Sequence, residues 1–591
     1  MPMTKDPLTS RINTLSLADQ LTQMENKSSA FESEVRTLPL PTIAAFTQTG
    51  TLAPVSFSPN SHTLTPDQPD IVTQKLPHLF ATHQGQILKA DTPLPTLTGK
   101  RIAVLFSGGP AAGGHNVIAG IKAILGPNNT LFGVKSGPKG LLAGELFEIT
   151  NDALNKVKNL GGFDFLGSDR TKIKTREQYE QVKLVVKKFA LNGLIIVGGD
   201  DSNTNAAFLA ELLQSEGCTV IGVPKTIDGD LQAGAWLPIS FGFDTATKIY
   251  AEMVGNILQD TPSSRKYWHF VKLMGRSASH VALEVALQTK PSFTLISEEV
   301  AAKQSTLGEI VTQLGKTILS RAAKGLNYGV VLIPEGVIEF IPELKTLIQT
   351  LNGLIASHET DLQILTLTEK LTFIQSQLNA EQKALLMSLP EAIKQQLLLE
   401  RDSHGNLQVS QIPTEQLLIE MVKIKLKELK SKAETWGEWS AKELDRIMQF
   451  KFASNSHFFG YEGRCGAPTR FDAAYTYNLG LIAGSLTLTQ QTGYMAAITQ
   501  LDHDWQAIAL PLTGLMGVET REGESTLVIR KALVDIQSPA FSYFVSRRSQ
   551  WATQDAFCNP GPIQLWGPTS ESLPFTIALN HGLSSLKFRI K

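Results

Sequence analysis

Three short apolar runs, each ending in a polar loop, constrain this chain more than any other feature. RIAVLF at 101–106 leads into SGGPAAGGHN, and Val117 to Leu125 then has helical spacing. Leu194 to Val197 ends in GGDDS and is followed by an Ala-rich helix over 205–214. Thr219 to Val223 ends in PKTIDGD at 224–230. Buried runs alternating with helices predict a parallel sheet covered on both faces. Ligands of such sheets bind at the carboxyl ends of the strands, where all three loops fall.

Each loop carries residues suited to phosphate chemistry. Gly108 to Gly114 can close backbone N–H groups around phosphate oxygens and aim a helix N-terminus at them. It is not a dinucleotide fingerprint, because Pro110 stands where the second glycine should be. It is not a Walker loop either, since the GKT at 315–317 has Gly308 too far upstream. In the second loop, Asp200 and Asp201 would repel each other without a nearby cation, and Asp200 suits Mg²⁺, directly or through water. The third loop places Lys225, Thr226, Asp228 and Asp230 within six residues. Asp228 could deprotonate a sugar hydroxyl, Lys225 could pair with phosphate, and Asp230 could hold both. Taken singly, each loop also fits a plain turn: a tight glycine turn, a solvated helix cap, or an Asp-Gly turn beside a surface lysine.

The rest of the chain divides by character. Residues 1–97 are polar and rich in Pro, Thr and Ser, and read as an N-terminal extension. Residues 98–245 hold the three loops. A second α/β stretch covers 246–340 and resumes at 451–480. Between them, 341–450 is rich in Leu, Gln, Lys and Glu with helical spacing at Leu344, Leu347, Ile348 and Leu351, and reads as a helical insertion with a turn at 401–406. Residues 481–591 read as α/β sequence shared between the two domains.

The composition excludes several classes. Lys plus Arg (54) nearly balances Asp plus Glu (55), so no whole-protein field gathers nucleic acid or an anionic membrane. No apolar run approaches the ~18 residues of a membrane span. The start of the chain lacks the apolar core of a signal peptide. Three cysteines, Cys218, Cys465 and Cys558, form neither a disulfide framework nor a zinc half-site, and suit a reducing, cytoplasmic setting.

In order along one sheet edge, the loops resemble those of phosphofructokinases, specifically the pyrophosphate-dependent, long-form branch. The resemblance is carried by GGDDSNTNA (198–206), PKTIDGDL (224–231), FGFDTA (241–246), KYWHFVKLMGRSASH (266–280), IPEG (333–336) and FFGYEGRCGAPT (458–469). It implies two Rossmann-like three-layer α/β/α domains and a Mg²⁺-dependent, reversible phosphoryl transfer in glycolysis and gluconeogenesis, from pyrophosphate to the 1-hydroxyl of fructose 6-phosphate. Asp228 then looks like the base, supported by Thr226 and Asp230, with Ile227 beside them in binding substrate, and Asp200 like the metal site. Gly108, Gly109, Arg170 and Lys225 would hold pyrophosphate. Met274, Gly275, Arg276, Glu335, Tyr461, Glu462, Gly463 and Arg464 would form the sugar-phosphate pocket. Lys266 and Tyr267 would reach that pocket from a neighbouring subunit of a homodimer.

The expected donor rests on Asp201 and Lys225, where ATP-using members of the family carry glycine. A carboxylate at 201 would crowd and repel an α-phosphate, and an ammonium at 225 would pair with the transferring and leaving phosphates. The competing readings are an ATP-dependent enzyme of the same fold and a non-catalytic regulatory subunit, which should have lost some of Asp200, Asp228, Asp230 or Arg276. Ala112 replaces the second proline of the family's GGPAPGGHN loop, which softens the loop without removing a donor. His280 and His457 are set aside, since the implied mechanism has no role for them.

Overall fold

The computed structural model describes residues 35–591 except 96, 359–361, 363, 399–411, 522–523, 562–572, 587 and 591. The turn expected at 401–406 lies outside the described residues.

The first sheet is built from β1 (Val55–Thr63), β2 (Gln86–Pro93), β3 (Arg101–Ser107), β4 (Thr130–Val134), β5 (Leu146–Glu148), β6 (Ser168–Asp169), β7 (Gly193–Gly198), β8 (Thr219–Thr226), β9 (Phe241–Gly242), β14 (Tyr494–Thr499) and β15 (Gln506–Pro511). Its main path runs β1-β2-β15-β14-β8-β7-β3-β4-β5, with β6 on β3 and β9 on β8. The three apolar runs are its centre, and they are parallel and in step. Phe106 pairs with Val197, and Gly198 with Pro224, so the three loops leave the sheet side by side.

The sheet is mixed rather than wholly parallel. β14 pairs antiparallel with β15, β15 with β2, β2 with β1, and β4 with β5. A hairpin needs only a few linking residues, and an apolar run does not declare its direction. Two of these strands lie in the stretch read as an extension, where Ser, Thr and Pro dilute the apolar alternation.

Alternate residues of each strand face different cores. Ile102, Val104 and Phe106 pack under the helices Gly114–Leu125 and Arg470–Leu488. Ala103 and Leu105 pack under Arg176–Phe189 and Asp200–Leu213. Burial of each branched side chain contributes about 1.5–3 kcal/mol, and burial on both faces explains why these runs are apolar throughout. The first pair of helices crosses at Gly120 and Gly480. A Cβ on Gly120 would come within 2.0 Å of the Tyr477 carbonyl oxygen, so no other residue permits that approach.

The second sheet is parallel, in the order β11 (Phe293–Thr294), β12 (Gly329–Pro334), β10 (Trp268–Leu273), β13 (Ser454–Phe459). Leu273 pairs with both Pro334 and Phe459, so the loops starting at 274, 335 and 460 share one edge. The described part of 341–450 is helical, from Pro342–Ser357 to Ala441–Gln449, and packs on the helix Leu307–Ala323 and on Phe270, Val331 and Ile333.

Asp472 joins the two sheets' connecting helices. Its carboxylate accepts from Gly242 N (3.1 Å), Thr245 N (2.9 Å) and Thr245 Oγ1 (2.6 Å), at the start of Phe243–Ser264. Burial, reinforced by Asp244, pushes it up to about 7.

Candidate active site

The loops from both sheets meet around a cleft of about 350 Å³. On the first side, β3 ends at Ser107 and the chain turns at Gly108, whose φ is +85°. Gly108 N donates to Asp169 O (2.9 Å), and Ser168 Oγ donates to Gly108 O (2.5 Å). A Cβ on Gly108 would lie 3.2 Å from Lys225 Nζ, and one on Gly109 would lie 3.1 Å from an Arg464 guanidinium nitrogen and 3.8 Å from one of Arg170. Three cations therefore crowd the glycine loop, which suits an anion of high charge. The turn that carries Arg170 is held by Asp169, which accepts from Thr171 N (3.1 Å), Thr171 Oγ1 and Lys139 N (3.2 Å).

The second loop is fastened to the first by Ser202 Oγ, which donates to Ser107 Oγ (2.8 Å). Asp200 and Asp201 open the helix Asp200–Leu213, where the helix dipole favours carboxylates. Asp200 Oδ2 is buried without a hydrogen bond, with Lys531 Nζ 3.4 Å away.

The third loop follows β8. Asp228 N donates to Thr226 Oγ1 (3.0 Å), which fixes the start of the turn. Burial, with Arg170 adding to it, pulls the Lys225 ammonium down to about 8 against the pull of Asp228, Asp200 and Asp230. Burial and the neighbouring Asp228 and Asp200 hold the Asp230 carboxyl well above the usual carboxylate range.

On the second side, Gly275 N donates to Glu335 Oε2 (3.0 Å), joining the loops after β10 and β12. Burial raises Glu335, and its Oε1 has no hydrogen-bond partner. The Arg464 guanidinium stacks on Tyr461, 4.6 Å from the ring centre, and its buried Nε is also unpaired. Buried polar atoms left unpaired mark places where a ligand completes the bonding.

Of the residues singled out in the sequence, Gly108, Gly109, Arg170, Asp200, Asp201, Lys225, Thr226, Ile227, Asp228, Asp230, Met274, Arg276, Glu335, Tyr461 and Arg464 line the cleft. Gly275, Glu462 and Gly463 stand behind it: Glu462 Oε2 accepts from Gly460 N (2.9 Å), and Gly463 gives room to the Tyr250 ring. Lys266 and Tyr267 precede β10, at the strand end away from the cleft, with the ammonium 5.0 Å from the ring centre. His280 and His457 are structurally satisfied, His280 by Ala532 O (2.9 Å) and His457 by His269 (2.8 Å). Lys531, Thr171, Lys172 and Ser277 also line the cleft and were not anticipated. Burial opposes the charge on Lys531, but Asp200, Asp230 and Asp201 outweigh it and raise its pKa. The surrounding IRKALV has no pattern that sets it apart from a surface segment.

The phosphofructokinase family model matches residues 101–486, which contain every loop of the cleft except the segment bearing Lys531. The chain belongs to the phosphofructokinase family. Similar phosphofructokinase relatives cover most of its length. The pyrophosphate–fructose 6-phosphate 1-phosphotransferase of Treponema pallidum is 46% identical over 511 residues, 83% of this chain and 87% of that one. The beta 1 subunit of the enzyme of that name from Arabidopsis thaliana is 44% identical, covering 87% and 88%. The Arabidopsis alpha 1 subunit is 36% identical, covering 88% and 83%.

Proposed function

We infer that this phosphofructokinase transfers a phosphoryl group from pyrophosphate to the 1-hydroxyl of fructose 6-phosphate, giving fructose 1,6-bisphosphate and phosphate. One observation carries the reading: Asp201 and Lys225 both line the cleft, with Lys225 Nζ against the glycine loop. A carboxylate at 201 disfavours a nucleotide's α-phosphate, while Lys225 and Arg170 neutralise a compact diphosphate.

Phosphoryl transfer asks a protein mainly for positioning and charge neutralisation. Asp228 takes the proton from the sugar hydroxyl as its oxygen attacks the near phosphorus. The bridging P–O bond breaks, and phosphate leaves with its charge balanced by Lys225 and Arg170. Thr226 holds the Asp228 turn. Arg276, Glu335, Tyr461 and Arg464 bind the sugar phosphate.

Asp200 fits a Mg²⁺ ligand, because its buried Oδ2 lacks a hydrogen-bond donor. Among the described residues no group of three or more His, Cys, Asp or Glu forms a metal cage. When bound, Mg²⁺ supplies further charge neutralisation to the donor.

The two sheets are read as the centres of two Rossmann-like domains: 98–245, completed by β14 and β15 of the C-terminal region and joined by β1 and β2, for pyrophosphate, and 246–340 with 451–480 for the sugar phosphate. Lys266 and Tyr267, remote from their own cleft, serve that of a second copy in a cytoplasmic homodimer. No described helix is long and apolar enough to cross a membrane.

The test is ³¹P NMR of the purified protein with fructose 6-phosphate and pyrophosphate. A phosphomonoester signal at the sugar 1-position growing with orthophosphate supports the reading. No turnover with pyrophosphate, but turnover with ATP, overturns it.

A further inference from the structure

The chain between β16 (Met516–Arg521) and β17 (Glu524–Ile529) and the final helices crosses the cleft as a strap. Hydrogen bonds fasten it on both sides. Toward the donor loops, Ile529 N donates to Thr204 Oγ1 (2.8 Å) and Ala532 N to Asp230 O (2.7 Å). Toward the sugar-phosphate side, His280 Nε2 donates to Ala532 O (2.9 Å) and Val534 N to Glu298 Oε1 (2.9 Å). The same Glu298 oxygen accepts from Ser279 N (3.0 Å).

Lys531 is the strap residue that lines the cleft. Its ammonium lies 3.4 Å from Asp200 Oδ2 and 3.3 Å from Ser277 Oγ, and its side chain keeps 31% of its exposure. Asp200, Asp201 and Asp230, which line the same cleft, all belong to the donor loops. A highly charged anion cannot approach three carboxylates unless their charge is offset. Lys225 and Arg170 offset it on the glycine-loop side. Lys531 adds a cation from the strap, against Asp200.

We propose that Lys531 is a further donor-binding residue, which turns its ammonium from Asp200 to the oxygens of the diphosphate. The proposal rests on the pyrophosphate reading above. It makes the C-terminal strap part of the donor site, although the strap lies beyond the stretch that defines the family.

The test is calorimetric binding of methylenediphosphonate, a diphosphate that cannot be cleaved, and separately of fructose 6-phosphate, in the presence of Mg²⁺. The proteins are wild type, Lys531→Gln and Lys531→Arg, each checked for an unchanged melting temperature. Loss of one charge-assisted contact should weaken the diphosphonate roughly 10- to 100-fold in Lys531→Gln. Fructose 6-phosphate should stay within about threefold, and Lys531→Arg should recover most of the diphosphonate affinity because it restores the charge. Equal losses for both ligands, loss for the sugar phosphate alone, or no loss at all would overturn the proposal. Wild-type protein that binds fructose 6-phosphate but not the diphosphonate would instead overturn the donor reading beneath it.

Discussion

Lys225 Nζ stands against Gly108, 3.2 Å from the point where a side chain on that glycine would begin. The contact joins the first and third loops of the sheet beside the Arg170 and Arg464 guanidinium groups that face Gly109. It also explains the glycine twice, because its φ of +85° is one that L-residues rarely adopt.

Gly108→Ala should therefore displace Lys225 and strain the turn. We expect the strained turn to cost about 1–2 kcal/mol of stability, and the displaced Lys225 to raise the KM for pyrophosphate with little change for fructose 6-phosphate. Equal changes for both substrates would place Lys225 elsewhere in the reaction.

Lys225 should set an alkaline limit. It is protonated below its pKa of about 8 and neutral above it, so the cation that balances the donor is lost as pH rises. The profile of kcat/KM for pyrophosphate, which reports the free enzyme, should fall above pH about 8. Lys225→Arg keeps its charge and should lose this limb even if it is slower. A limb shared by both proteins would belong to the substrate.

Asp228→Asn removes the base and keeps the shape of the turn. Turnover should fall roughly 10²- to 10⁴-fold, with fructose 6-phosphate binding nearly unchanged by calorimetry. A loss under tenfold in a folded variant would reassign the base.

Lys266 and Tyr267 should act across a subunit boundary. Lys266→Ala and Arg276→Ala should each be weak alone. A mixture allowed to exchange subunits should regain activity, because one shared cleft is then intact. No recovery in verified mixed dimers would return both residues to a structural role.

The donor loops were legible in the sequence because each one ends a strand, and parallel pairing in step carries them to one edge. That pairing brings Asp200, Lys225 and Asp228 into one cleft, while the roles read for them came from the resemblance to the family. The mixed character of the first sheet was not legible. β14 and β15 are as apolar as the parallel strands, while β1 and β2 are diluted by Ser, Thr and Pro. Lys531 was hidden for a different reason. Its position comes from Thr204, Asp230, His280 and Glu298, which meet only in the folded chain. A basic pair in IRKALV resembles any solvated surface.

The choice of donor is the central claim, and the ratio of specificity constants for pyrophosphate and ATP tests it most directly. The proteins are wild type, Asp201→Gly, Lys225→Gly and the double variant. Asp201→Gly removes the carboxylate that opposes an α-phosphate but leaves Lys225 in place. Lys225→Gly removes a cation from the transferring phosphate and should cost more with pyrophosphate. Neighbouring charges rarely act additively, so the double variant should shift toward ATP by more than the product of the single shifts. Wild type should favour pyrophosphate strongly. A wild type that prefers ATP, or a ratio that stays flat across the four proteins, would contradict the account.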